Sequence, residues 1–278
     1  MTSRLKIYHC LLSIIAAAAL FYSAAVQSTT PTPSTTTKAL AVTSLTAVPP
    51  LFSPIPFTAQ YDVSLNGNNQ LKGSRTLSEF QNKEGEKIYT LEYKAEHLLF
   101  KIKEQSTFQW VNNTLVSQLY KSERSHLFGS RKKNVQFDWP SNTANFTYKK
   151  RKGSFNIEPG VTDPLSTLFV IATKIQQGMA SISVRETDDN DIETREYTVD
   201  GSETLATLIG PLETIKVSFN RRDSTQIWLA VDLNYLAVKV RKESNNGDTY
   251  ELNIREYDGP KIPRETPNFK AIKHTGDI

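Results

Sequence analysis

The sequence predicts a mainly β protein, either a large curved antiparallel sheet or an open β-barrel or sandwich, with one α-helix at about residues 164–177. Three observations support this prediction. Apolar and polar residues alternate with a period of two through most of residues 57–258, which is typical of strands with one buried face. Clusters of Asn, Gly and Asp separate these stretches at intervals of about 8–14 residues. One segment shows helical spacing instead.

The first strand is predicted where five apolar residues alternate with polar ones, namely at Phe57, Ala59, Tyr61, Val63 and Leu65. The Asn-Gly-Asn-Asn sequence at 66–69 is typical of a hairpin turn, because Gly and Asn tolerate positive φ angles. The same alternation recurs downstream, most clearly on both sides of a second turn at 245–248. We count about a dozen strands, which fits a sandwich, a barrel or a large curved sheet.

The predicted helix has an apolar stripe formed by Leu165, Leu168, Phe169, Ala172 and Ile175. Thr162 or Asp163 can cap its first backbone N–H groups, Pro164 suits the first helical position, and Gly178 suits the left-handed position after the last turn. The opposite side is also apolar at residues 170–171. We therefore expect the helix to be covered on more than one side and to plug an open sheet or barrel end.

The two ends of the chain differ from the single β domain predicted at 57–258. Residues 1–25 have the order of a secretory signal peptide, with basic residues, an apolar run and small residues before a cleavage site. The alternative is a retained anchor, although the apolar run is shorter than the roughly 20 residues that span a bilayer. Residues 26–56 are rich in Ser, Thr and Pro and predict a disordered linker, whose apolar end at 48–57 can dock on the domain. We expect a flexible tail at 259–278.

The signal segment predicts export to the periplasm. The only cysteine, Cys10, lies in this segment, so the mature chain has no thiol for disulfides, catalysis or metal binding. Removal of Arg4 and Lys6 reduces the 33 basic residues to 31, against 29 acidic ones. This nearly even balance gives no overall attraction to nucleic acid. No second apolar stretch reaches transmembrane length, so we expect no membrane span after cleavage.

Four segments, in this order, resemble bacterial exported proteins of the domain-of-unknown-function family numbered 3108. They are FTAQYDV at 57–63, DPLS at 163–166, TLIGPLETIKV at 207–217 and IWLAVDLNYLAVKV at 227–240. The last segment is the most specific, although the family pattern has proline where this chain has Val231 and Ala237. The resemblance covers about residues 57–256 and implies a periplasmic, β-rich protein of Gram-negative bacteria. It implies no activity and assigns no functional residues.

We expect no enzyme, no cofactor and no metal site. The three histidines outside the signal segment, His97, His126 and His274, lack metal-ligand spacing. The chain has neither a Gly-x-Ser-x-Gly elbow nor a glycine-rich phosphate loop. A hydrolase is the less favoured alternative, because Ser, His and Asp can converge from distant positions. The acidic run at 188–191 could offer oxygen ligands to calcium, but without EF-hand spacing it favours an acidic hairpin turn.

The strongest candidate for a binding site is a basic stretch at 121–152, with nine basic and two acidic residues. A hairpin turning at 140–142 would bring its two basic clusters together. The predicted ligand-binding residues are Arg131, Lys132, Lys133, Lys149, Lys150, Arg151 and Lys152. This patch could hold an anionic partner such as a lipid headgroup or a lipopolysaccharide phosphate. The alternative is a solvated sheet edge, whose lysines discourage strand-to-strand aggregation.

The aromatic residues leave two interpretations of the interior, a filled core or an apolar cavity that holds a ligand. The function predicted first is therefore a non-catalytic periplasmic binder of a lipid or other amphiphile. The alternative is a structural or interaction protein of the cell envelope. In both cases the predicted partner is a lipid, lipopolysaccharide or another envelope component. The sequence leaves the oligomeric state open.

Overall fold

The computed structural model of the protein describes residues 52–97, 100–126, 129–220, 223–267 and 269. These residues form fifteen strands, one α-helix and a short 3₁₀-helix. The first eight strands are β1 (Phe57–Leu65), β2 (Asn68–Gln81), β3 (Lys87–His97), β4 (Phe100–Val111), β5 (Thr114–His126), β6 (Gly129–Asp138), β7 (Thr143–Tyr148) and β8 (Arg151–Asn156). The others are β9 (Val161–Thr162), β10 (Ser181–Glu186), β11 (Glu193–Thr207), β12 (Gly210–Asn220), β13 (Ser224–Ala230), β14 (Leu236–Glu243) and β15 (Thr249–Asp258). The helices are α1 (Thr167–Gln176) and η1 (Val231–Leu233).

All fifteen strands belong to one sheet, in the order β8-β7-β6-β5-β4-β3-β2-β1-β15-β14-β13-β12-β11-β10-β9. The sheet consists of two antiparallel meanders, joined where β1 pairs with β15. The short β9 pairs with β10 in parallel. The described strands do not close the sheet, because β8 and β9 are its two edges. The prediction of a mainly β fold with a large antiparallel sheet and one helix is therefore confirmed.

Irregularities in the strand pairing bend the sheet. Two lie in β1, between Gln60 and Tyr61 and between Val63 and Ser64. Others interrupt the β4–β5, β11–β12 and β13–β14 pairs. A bulge inserts an unpaired residue, which bends the strand and increases its twist. The long antiparallel sheet is thereby curved, with one face turned toward α1.

Helix α1 starts three residues later and ends one residue earlier than the sequence predicts, while Gly178 has its predicted place after the last turn. The carboxylate of Asp163 accepts the backbone N–H groups of Leu165 and Ser166, each at 3.0 Å. The aspartate therefore caps a separate turn that precedes the helix. At the other end Gly178 has a φ of 78° and donates its N–H to the carbonyl of Ile175 at 2.8 Å. This left-handed closure is the expected role of a glycine after a helix.

The helix connects the cores of the two meanders. Its early part and the turn before it, including Leu165 and Phe169, pack on an apolar face of β1–β8. Its later residues Ile171 and Ile175 pack on β10, β12 and β13. A third apolar cluster lies around β1 and β12–β15 and includes Trp228. On β1–β8, we call the face that carries the first cluster the inner face and the opposite face the outer face.

An apolar cleft lies between α1, η1 and the start of β1, and side chains almost fill it. Its walls include Phe57, Leu91, Phe169 and Tyr235, and its free volume is about 30 Å³. A volume of this size corresponds to about one water molecule. In this part of the interior, the aromatic residues therefore pack against the helix and do not line a ligand cavity.

Residues on both sides of the predicted domain pack against it. Phe52, from the predicted linker, is buried with its ring centroid 5.4 Å from that of Trp110. Ile262, from the predicted tail, donates its N–H to the carbonyl of Asp232 at 2.8 Å. Both segments contain apolar residues that gain from burial, which explains why the packed region extends beyond 57–258. The signal segment at 1–25, residues 26–51 of the linker, and residues 268 and 270–278 of the tail lie outside the described residues.

Candidate anion-binding site

The pleat of the sheet distributes the basic residues of β4–β8 over both faces. On β6, Arg131 and Lys133 share the face of the buried Val135, whereas Lys132 points to the other face. The inner face carries Arg124, Arg131, Lys133 and Arg151. The outer face carries Lys101, Lys103, Lys121, Lys132 and Lys152. Every basic residue on the outer face of these strands is a lysine, and three of the four on the inner face are arginines.

The seven predicted binding residues are therefore not one site. Three of them, Arg131, Lys133 and Arg151, lie on the inner face, and Lys132 and Lys152 lie on the outer face. The remaining two, at 149 and 150, occupy the turn between β7 and β8. The predicted hairpin at 140–142 is present, since β6 and β7 pair across it. It brings the two clusters onto β6 and β8, with β7 between them, and the period of two then divides the members of each cluster over both faces of the sheet.

The inner-face residues surround a recess of about 180 Å³, which we call the inner recess. Its walls are Tyr120, Ser122, Arg124, Arg131, Lys133, Tyr148 and Asp188. Three cationic side chains thus face one carboxylate in its wall. The cross-strand pairs Arg124–Arg131 and Ser122–Lys133 fix the positions of these residues on neighbouring strands. The recess is positively charged and is formed mainly by residues on regular strands.

A buried ion pair forms the floor of the recess. Glu104 is fully buried and accepts a hydrogen bond from the Arg124 guanidinium at 3.0 Å. Ser122 donates to the same carboxylate oxygen at 3.1 Å. Burial opposes the charge of Arg124, but the combined effect of Glu104, Tyr120 and Asp188 outweighs it, so the pKa of the guanidinium is raised. Burial also raises the pKa of Tyr120, and the charge of Glu104 adds to this effect.

Cations gather around the ring of Tyr148. The Nζ atoms of Lys133 and Lys149 each lie 5.2 Å from its centroid, and the guanidinium carbon of Arg151 lies 5.6 Å from it. These distances are within the range of cation–π attraction. Arg151 also lies 6.0 Å from the ring centroid of Phe146. The aromatic side chains thus hold the inner-face cations close together despite their mutual repulsion.

The acidic run at 188–191 forms the turn between β10 and β11, as predicted, and lies against the basic strands. Asp188 pairs with Lys133 at 2.7 Å. Arg151 contacts Asp189 at 3.0 Å and the side-chain oxygen of Asn190 at 3.2 Å. Burial raises the pKa of Asp189, against the opposing attraction of Lys133 and Arg151. We call this set of contacts the acidic clasp. It joins the two ends of the sheet, which no backbone pairing between the described strands connects.

A second polar cluster lies at the start of the helix and was not predicted as a unit. Asp163 is fully buried and accepts hydrogen bonds from Ser106 and Ser166, each at 2.7 Å. Burial raises the pKa of Asp163, although these bonds oppose the shift. Thr167 links the cluster to Glu186 at 2.7 Å. The cluster attaches the helix to the sheet; the capping signal at Asp163 was the only sign of it in the sequence.

The histidines of the hydrolase alternative are only partly described. Phe100 of β4 pairs with His97 of β3 and with His126 of β5, so the three residues are neighbours in the sheet. The side chains of both histidines, and the whole of His274, lie outside the described part of the chain. Among the residues that the structure does describe, no group of three or more His, Cys, Asp or Glu side chains could hold a metal ion.

Helix α1 has only ten residues, and in the described parts of the chain no helix is long and apolar enough to cross a bilayer.

The fold and the recess together define a class of protein: an open, curved antiparallel sheet with a basic recess on its inner face. The family described as "Protein of unknown function (DUF3108)" matches residues 60–254. The chain belongs to this family, as the four sequence segments predicted. No curated protein matches the chain.

The solved structures that resemble the chain include one with low sequence identity. It is the crystal structure of a β-barrel-like protein of domain of unknown function DUF1849 from Brucella abortus. It is 8% identical, has a TM-score of 0.49, and the match covers 75% of this chain and 99% of that one.

Proposed function

We propose that the protein is a non-catalytic binding protein of the bacterial periplasm that holds the anionic group of a lipid or other amphiphile in the inner recess. One observation carries this proposal: the recess contains more positive than negative charge, and its surplus cation is accessible. Arg124 and Lys133 have carboxylate partners, Glu104 and Asp188. Arg131 is exposed and forms no ion pair with any described residue.

The chemistry of Arg131 suits a compact anion. A guanidinium presents a planar fork of N–H donors that matches the oxygens of a carboxylate or phosphate. The ammonium of Lys133 lines the same recess and has N–H donors beyond the one that it gives to Asp188. An anion of one or two charges would thus meet two cationic donors that are already positioned on the same face of β6.

The apolar part of an amphiphile has a surface next to the recess. Tyr148 and Phe146 lie on the inner face of β7, and Phe155 lies on the inner face of β8. Phe146 and Phe155 are half-buried, with ring centroids 6.3 Å apart. An alkyl chain lying along these rings would bury apolar surface without entering the filled interior. This arrangement supports an amphiphile in preference to a free inorganic anion.

The composition of the recess supports binding without catalysis. Arg and Lys side chains remain charged and donate hydrogen bonds, but they do not accept a proton at neutral pH. The carboxylate in the wall, Asp188, is held by Lys133. These residues therefore do not provide the general base beside a nucleophile that covalent hydrolysis requires.

A second candidate function is a structural or interaction protein of the envelope, and the edge strand β8 favours it. The outer edge of β8 has no pairing partner among the described strands. An unpaired edge can accept a strand of another protein, although Arg151 and Lys152 on β8 discourage such pairing.

The binding proposal is tested with an alkyl phosphate. Dodecyl phosphate is titrated into the purified protein below its micelle-forming concentration, with dodecyl maltoside as the uncharged comparison. We expect binding of the phosphate only, weakened about 10–100-fold in Arg131→Gln, since a charge-assisted hydrogen bond contributes about 1.5–3 kcal/mol. Lys83→Gln removes one positive charge at an exposed position in the turn between β2 and β3, and it should not change the affinity for dodecyl phosphate. Equal binding of both detergents, or no loss in Arg131→Gln, would refute the proposal.

Export is tested separately by cell fractionation and mass measurement. We expect the protein in the periplasmic fraction, with the mass of a chain that was cleaved after Ala25. A cytosolic protein that keeps its first residues would contradict the proposed location.

A further inference from the structure

The outer face of β4–β8 has a composition that the inner recess does not explain. It carries five basic residues, Lys101, Lys103, Lys121, Lys132 and Lys152, and two acidic residues, Glu123 and Asp138. We call this surface the outer lysine face. A surface groove of about 440 Å³ runs between Lys103, Lys121 and Lys132. Gln105, Asn134 and Thr147 supply neutral polar groups of this groove, and the inner-face residues Ser122 and Lys133 also line it.

The lysines of this face are available to an outside partner. Lys101 pairs with Glu96 at 2.6 Å and Lys132 pairs with Glu123 at 3.0 Å, with all four side chains at least 43% exposed. Exposed ion pairs of this kind contribute little to stability, so each lysine can readily leave its carboxylate for another anion. The other three lysines are exposed and have no ion-pair partner in the described ranges. These are Lys103, Lys121 and Lys152.

The use of lysine in place of arginine indicates a different kind of partner from that of the inner recess. An arginine fork recognises one anion by its shape, whereas a lysine ammonium is a hydrated point charge on a flexible stem. Five such charges spread over several strands spaced about 4.8 Å apart form a broad positive surface. A surface of this kind suits many weakly held anionic groups in a plane.

The outer lysine face has no described aromatic side chain, which narrows the range of possible partners further. On strands β4–β8 all the aromatic side chains described belong to the inner face, for example Phe108, Tyr120 and Phe146. Proteins that bind single-stranded nucleic acid combine basic residues with aromatic ones on which bases stack. The outer lysine face, as far as it is described, has charged and polar groups and a few aliphatic side chains such as Leu119, but no aromatic ring. Its complement is therefore an extended anionic surface without exposed rings.

We propose that the outer lysine face docks the protein on a lipid bilayer that contains anionic headgroups. Its lysines lie in the surface potential of such a bilayer, where each contributes to attraction within a Debye length. This inference does not depend on anion binding in the inner recess, because the five lysines of the outer lysine face point to the face opposite Arg131. It names a membrane surface as partner, with the protein bound to it and not inserted.

The test is sedimentation of the full-length protein, as isolated from cells, with phosphatidylcholine vesicles that contain or lack phosphatidylglycerol. We expect binding only to the anionic vesicles and a loss of binding at high salt. The triple variant Lys103→Gln, Lys121→Gln, Lys132→Gln should bind on the order of 100-fold more weakly, since each lysine near such a surface accounts for about fivefold.

The matched control removes the same charge elsewhere. The triple variant Lys83→Gln, Lys87→Gln, Lys261→Gln changes three exposed lysines outside β4–β8 and should bind like the unaltered protein. Circular dichroism checks that both triple variants keep the sheet. Equal binding to neutral vesicles, or equal losses in the two variants, would overturn the proposal. So would a soluble sulfated polysaccharide that binds the outer lysine face more tightly than vesicles of equal charge.

Discussion

The two faces of strands β4–β8 are built from the same stretch of sequence and have different chemistry. The inner face has three arginines and one lysine among aromatic rings, and its charges are largely paired: Arg124 with Glu104, Lys133 with Asp188, and Arg151 with Asp189. The outer face has lysines without rings, and its pairs are exposed. The difference shows that a sheet can divide one basic run into two surfaces, one with paired charges among aromatic rings and one with exposed lysines.

The difference between the faces has an energetic consequence. A charge in the interior has lost its water and depends on its partner, whereas an exposed charge is stabilised by solvent whether or not a partner is present. Changes on the inner face should therefore affect stability more than matched changes on the outer face. Four pairs of variants test this comparison, in order of decreasing effect.

The largest effect is expected from removal of Glu104. Glu104→Ala takes away the buried carboxylate that faces the guanidinium of Arg124, so we expect a loss of about 3–5 kcal/mol in the free energy of unfolding. Glu123→Ala on the neighbouring strand removes a half-exposed pair of the outer face and should cost at most about 1 kcal/mol. Chemical denaturation measures both, and equal losses would contradict the comparison.

An intermediate effect is expected at Gly153 on edge strand β8. A Cβ at this position would lie 2.8 Å from the ring of Phe146, which packs on the inner face. The ring must move, so Gly153→Ala should destabilise the protein by about 1–3 kcal/mol. The neighbouring Ser154 points outward and is exposed, and Ser154→Ala should change stability by less than about 0.5 kcal/mol. Thermal unfolding compares the two variants. A Gly153→Ala protein as stable as Ser154→Ala would show that the ring is not confined.

A smaller effect is expected from the acidic clasp. Asp188→Asn removes the partner of Lys133, and because both side chains are partly exposed we expect a loss of about 1 kcal/mol at low salt. The loss should shrink at 1 M salt, where the Debye length is about 3 Å. Asp191→Asn changes an exposed residue of the same turn and serves as the control. Denaturation at two salt concentrations measures both, and a salt-independent loss would argue against an electrostatic clasp.

The smallest effects are expected in the pH dependence, with opposite signs on the two faces. The pKa of Asp189 is raised above its usual 3.8 by burial, so the stability of the protein relative to Asp189→Asn should fall as the pH rises above 3.8. The pKa of Glu96 on the outer face is lowered below 4.5 by its hydrogen bond and charge contact with Lys101. Stability relative to Glu96→Gln should therefore be lost as the pH falls below 4.5. Denaturation across this pH range checks both slopes, and slopes of the same sign would refute the assignment.

Local patterns predicted much of the fold correctly. The alternation at 57–65 and the hairpin around 245–248 correspond to β1 and to the β14–β15 pair, because period two and turn residues are properties of adjacent positions. Gly178 ends the helix as predicted for the same reason. The helix start was predicted three residues too early, since the sequence could not show that Asp163 would cap a separate turn fixed by Ser106, 57 residues away.

The candidate site was predicted only in part. The sequence identified the basic residues, and period two is enough to assign Lys132 and Lys133 to opposite faces once β6 is known. It did not indicate which face would be inner. Nor did it show that the acidic turn would reach Lys133, which is 55 residues from Asp188. Glu104 lies among polar residues in the sequence, so no local pattern indicated that it would be buried in an ion pair with Arg124.

By itself the sequence determined the strands, the turns, the helix and the family, because these depend on the order of neighbouring residues and on segment patterns. The tertiary structure alone decided which residues meet: the pairing of β1 with β15, the acidic clasp between the sheet's two ends, and the burial of Glu104. These contacts depend on how a fifteen-stranded sheet curves and on which face the helix covers. Both arise from packing the whole chain, and no local pattern of side chains encodes them.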